Sequence, residues 1–168
     1  ARLSPNADAG LRRSPRAIES SRAEDTISLH MGGGSTTMVA SIIDKAMQAR
    51  QFEHAARLLD GKIENYEVKA ARGVHDIALL AEIAPLNAQL AAELEDGSRI
   101  AWVLGTYARA GTTIPEVVFA QLLEAARGWY NMAHDIEDYL RRLEGSRSSC
   151  ESADPVLQHM KEILRSCS

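Results

Sequence analysis

The chain reads as an all-α protein, a solenoid-like stack of antiparallel helical hairpins with about eight helices and an extended N-terminal arm. Three observations predict this. From Ser35 onward, apolar residues recur at i, i+3, i+4 and i+7, the spacing that gathers them on one face of a helix. Glycines and prolines fall between the periodic segments, where helices end or begin. The β-branched runs fit helical spacing as well, so no strand is predicted.

The organising stretch is Gly97 to Gly128. Ile100, Val103, Leu104 and Tyr107 share one helical face, and Gly111 stands where that helix should end. Pro115 suits the first position of a second helix, in which Val118, Phe119, Leu122, Leu123 and Ala126 resume the period until Gly128. The short turn predicts that the two lie antiparallel, with Trp102 and Phe119 in the core. Upstream, Ser35, Thr36 and Thr37 are cap candidates for a helix with Val39, Ile42, Ile43, Ala46 and Met47 as its stripe, ending near Arg50. Phe52, Ala55, Ala56, Leu58, Leu59 and Ile63 predict the next, running toward Arg72 and closed by Gly73. Val74 to Ala84 predicts a helix that stops before Pro85, followed by a short partner carrying Leu86, Leu90, Ala91 and Leu94 and ended by Gly97. Downstream, Trp129, Met132, Ile136, Tyr139, Leu140 and Leu143 mark a helix ending at Gly145, and Pro155 opens a last one with Val156, Leu157, Met160, Ile163 and Leu164.

Composition bounds the class. At 168 residues, 45% hydrophobic and 25% charged, the chain is expected to form one helical domain over 35–145, preceded by an arm at 1–34 and followed by a linker and C-terminal helix at 146–168. Cys150 and Cys167 would close only a short loop near the end of the sequence and are expected to be reduced thiols. No apolar run is read as approaching the roughly 18 residues a membrane span requires, so a soluble or peripheral protein is expected.

The arm carries Arg2, Arg12, Arg13, Arg16 and Arg22 among serines, prolines and glycines, with no lysine and no apolar period. Its acids, Asp8, Glu19, Glu24 and Asp25, set it apart from an organellar transit peptide. It reads as a mature arm behind a cleaved leader. Over 35–145 there are 11 Lys and Arg against 16 Asp and Glu, a net charge of −5, so the body lacks the basic balance of a free-standing RNA binder. RNA contact is therefore placed on Arg2, Arg12, Arg13 and Arg16, since arginines in a flexible arm fold against phosphates.

Two phrases resemble known repeats. ASIIDKAMQARQFEHAARLL, with its break between two amphipathic helices and the pair Ala55 and Ala56, resembles tetratricopeptide and pentatricopeptide units. RIAWVLGTYARAGTTIPEVVFAQLLEAA, Ile100 to Gly111 followed by Pro115 to Ala126, resembles the octotricopeptide and RAP-associated helical repeats of organellar proteins. The resemblance implies organellar RNA binding or a place in a mitochondrial ribosome, with proteins of a large assembly and ribosomal RNA as partners and a mitochondrial location; no cofactor is expected. The two phrases stand roughly 60 residues apart rather than at a clean period of about 33 to 40, and no base-reading position carries over. An accessory helical subunit of a respiratory-type complex and a bacterial tetratricopeptide-like adaptor or secretion chaperone are the alternatives.

Catalytic motifs are weak. His134 and Asp138, beside Asp135 and Glu137, have the i, i+4 spacing of a metal site but need ligands from a second helix, such as His54 with Glu53 or His75 with Asp76. Gly32 to Thr36 has the composition of a phosphate loop without its lysine and reads as a linker and cap. No nucleophile sits in a recognisable motif, and neither a catalytic nor a metal-binding set is assigned.

Overall fold

The structure, a computed structural model, describes residues 38–146 and 154–168. Among them are seven α-helices and no strand: α1 (38–48), α2 (Phe52–Ala70), α3 (Ile77–Leu94), α4 (Gly97–Arg109), α5 (Glu116–Ala126), α6 (Ala133–Ser146) and α7 (Pro155–Ser166). The chain divides into two compact units between Lys45 and Ala46. The described part of the first is the opening of α1, where Ile43 is buried while Met38 and Ile42 are exposed. Its candidate caps, Ser35, Thr36 and Thr37, lie outside the described residues.

Within the second unit, α3 is the central helix. It packs on α2, α4 and α5; α4 packs in turn on α6, and α6 on α7. The sequence predicts one close hairpin for the segments that form α4 and α5, but these two helices touch little and each rests mainly on α3 or α6. Phe119 is buried as expected, whereas Trp102 is only half-buried because its indole N–H reaches Glu67 at the surface of α2.

The helix predicted to stop before Pro85 continues, and with its expected short partner forms the single helix α3. Pro85 removes one backbone hydrogen bond and crowds the preceding turn, a cost of about 3 kcal/mol. Leu80, Ile83 and Ala84 before it and Asn87, Leu90 and Ala91 after it are all buried on one stripe. Each large apolar side chain among them contributes about 1.5 to 3 kcal/mol, so the stripe outweighs the proline. The stop comes later, at Glu95, which takes the left-handed conformation (φ 50°), and Gly97 begins α4 instead of ending a helix. The merger also corrects the reading of apolar runs: α3, at 18 residues, is long and apolar enough to cross a membrane by length and composition, and 44% of it is buried inside the protein.

Three polar residues fix the α2–α3–α4 layer. Asn87, fully buried, accepts from Arg99 Nη1 at 2.9 Å and donates to the Arg99 carbonyl at 3.4 Å, and the same guanidinium reaches Asp60 of α2 at 3.0 Å. Further on, the buried Tyr139 hydroxyl of α6 accepts from Ile114 N at 2.9 Å and donates to the Thr112 carbonyl at 3.4 Å, which secures the α4–α5 connection. Pro115 is the extended N-cap of α5, one position before the expected place. Helix α6 begins at Ala133, leaving Trp129 in the loop before it.

Candidate functional site

The densest polar constellation joins the C-terminal half of α2, the turn at 71–76 and α4. Lys62 and Tyr66 are buried on the face of α2 turned to its neighbours, and Glu67 follows at the edge of that face. Arg109 closes on Glu67 with two nitrogens, at 2.6 and 3.0 Å, while Trp102 Nε1 donates to the same carboxylate at 2.8 Å. The Arg109 hydrogen bonds hold the Glu67 carboxyl below the usual carboxylate range, against burial, and the Trp102 bond acts in the same direction. In return the Glu67 bond raises the Arg109 guanidinium further.

Tyr66, fully buried, meets the Trp102 ring edge-on at 6.0 Å, and its hydroxyl lies 3.2 Å from His75 Nδ1. Burial pushes the Tyr66 hydroxyl up, and burial together with Tyr66 does the same to Tyr107, whose hydroxyl makes no hydrogen bond. Asp76 caps α3 through Leu79 N at 3.1 Å and pairs with Lys69 at 2.9 Å; the Lys69 bond, then the Leu79 bond, hold its carboxyl low. Chemically this cluster ties α2 to α4. The hydroxyl of the Tyr66–His75 pair is sealed from solvent.

A second feature is an open cleft of about 490 Å³ where the end of α5, the loop at 127–132 and the end of α7 meet. Leu123, Ala126, Met132 and Ile163 are among the apolar residues that line it, together with Trp129, Tyr130 and Cys167. The Tyr130 ring lies against Gly97 so closely that a Cβ there would overlap it, and its hydroxyl donates to Asp135 at 2.8 Å. Burial first, then Asp135, pushes the Tyr130 hydroxyl up to about 12.

Arg2, Arg12, Arg13 and Arg16, with Arg22 and the glycine run 32–34, lie outside the described residues, as does Cys150. Cys167 is a free, exposed thiol. Several of the metal candidates have other partners: Asp135 receives Tyr130, Glu137 and Asp138 both pair with Arg141, and His75 is held by Tyr66. Among the described residues no group of three His, Cys, Asp or Glu side chains is placed to hold a metal. Sequence reading missed the Glu67–Trp102–Arg109 contact. Its signal is the acid at the inner edge of one stripe and the Trp and Arg seven apart on another. Comparison with protein-family models, curated proteins and solved structures finds no significant match.

Proposed function

We propose that the chain is a non-catalytic structural subunit of an organellar ribonucleoprotein of the mitochondrial-ribosome kind. In this reading its helical body is a solenoid-like stack that docks on protein, and Arg2, Arg12, Arg13 and Arg16 reach ribosomal RNA. The observation that carries the body's part is the use of its polar residues: Asp60, Asn87 and Arg99 in one node and Glu67, Trp102 and Arg109 in another join one helix to the next. Charged groups engaged in holding helices together fit a scaffold better than a reaction centre. The packing of α3 on α5 and of α4 on α6, each helix against the next but one, supports the stack. The organellar and RNA parts rest on the two repeat-like phrases and on the arginine content of the arm.

Co-sedimentation of the tagged full chain with ribosomal RNA, with and without ribonuclease, tests the proposal. A large RNA-containing particle that loses the chain after digestion is the expected result. Sedimentation with a complex that contains no RNA would contradict the ribonucleoprotein assignment.

A further inference from the structure

Helix α7 is held more lightly than α2 to α5. Val156 and Met160 are its buried residues, two in a helix of 12, whereas α2, α3, α4 and α5 bury five, eight, six and five. Met160 is fully buried and Val156 nearly so, which concentrates the hold on two positions one turn apart. The packing of α7 is chiefly on α6. The Lys161–Glu144 pair also joins these two helices, but at 3.8 Å and with side chains 47% and 69% exposed, and such a pair adds little. Further along, Leu157, Ile163 and Leu164 are only half-buried, and Ile163 with Cys167 borders the open cleft.

Elements with few buried apolar side chains open locally at a free energy below that of global unfolding, and the parts of proteins that move are drawn from them. We propose that α7 is a strap that opens from α6 while α2 to α5 stay folded. A helix of 12 residues is marginal on its own, so leaving α6 also unwinds it, and exchange of its amides reports the opening. What opening uncovers is apolar. Val156 and Met160 lose their cover, and Phe119, 1% exposed in the closed form, loses the His159 ring that stands nearly perpendicular to its own (86°) with centroids 5.7 Å apart. This motion belongs to the chain itself and is independent of the parent assembly proposed above.

The test is native-state hydrogen exchange of the purified full chain, followed by NMR through a series of low urea concentrations. Amides 160–164 of α7 should be protected roughly 100-fold less than amides 103–107 at the centre of α4, yet roughly tenfold or more above an unstructured chain. Their protection should be nearly insensitive to urea, because local opening exposes little surface. Two variants separate the strap from the body. Met160→Ala removes the buried hold and should lower protection in α7 by roughly tenfold or more. Ile83→Val, in the core of α3, should lower protection in α4 about fivefold and leave that in α7 unchanged, since α3 is folded in both the closed and the opened form. Protection in α7 equal to that in α4, or a matching fall in both helices with Ile83→Val, would overturn the strap. Exchange of α7 at the rate of an unstructured chain would overturn it as well, because no closed form would then exist.

Discussion

Arg109, the last residue of α4, holds Glu67 of α2 with both terminal nitrogens across 42 residues of sequence. Because the bonded form of Glu67 is the carboxylate, its folded pKa lies below its unfolded value. The pair's contribution is therefore fully present above the ordinary carboxylate range and is lost as pH falls through the folded value. Urea unfolding as a function of pH should show a loss of stability below about pH 4.5, and Glu67→Gln should flatten that loss. An unchanged profile in the variant would remove Glu67 from the account.

Tyr130 behaves in the opposite sense. Its folded pKa, pushed up to about 12, lies above the tyrosine value of 10.0. Its contribution is complete below pH 10 and is lost as pH rises through 12. Ultraviolet titration of the folded protein should therefore show a phenolate absent in Tyr130→Phe that forms only near pH 12. A Tyr130 titrating near 10 would contradict its burial against Asp135.

Gly97 is constrained by that same ring. Gly97→Ala places a methyl on the Tyr130 ring edge and should destabilise by about 1 to 3 kcal/mol, the usual cost of overpacking. Adding Tyr130→Ala should return part of that loss, a non-additivity that chemical denaturation of the double mutant measures.

Phe119 and Pro85 test the core. Phe119→Ala should cost about 3 to 5 kcal/mol, since the ring is buried on α5. Pro85→Ala should stabilise, by up to about 3 kcal/mol, because alanine restores the missing bond in the middle of α3. If Pro85→Ala destabilises instead, the continuous helix is wrong.

The helical class and most boundaries were legible in the sequence because periodicity and left-handed glycines are local signals. Gly73, Gly111 and Gly128, each expected to close a helix, all have positive φ. The error at Pro85 has a definite cause. A proline rule is local, whereas the stripe that overrides it draws its energy from α2, α4 and α5. Trp102 was misplaced for a similar reason: its position on the apolar stripe says nothing of a carboxylate 35 residues earlier that draws the indole outward. Similarly, the weak contact between α4 and α5 follows from partners that adjacency in sequence does not reveal. As for the arginines assigned to RNA, they lie outside the described residues, and their role rests on composition.

That role is also the most direct point of attack. Deleting 1–34 should leave the thermal unfolding of the helical body unchanged and weaken incorporation into the parent particle. Replacing Arg12, Arg13 and Arg16 together should reproduce part of the defect and reduce its salt dependence, as loss of phosphate contacts requires. Incorporation of the deleted chain, measured across a series of salt concentrations, is the decisive quantity. The account predicts a deficit at physiological salt and a shallower salt dependence than that of the full chain; incorporation equal to the full chain's at every salt concentration would contradict it.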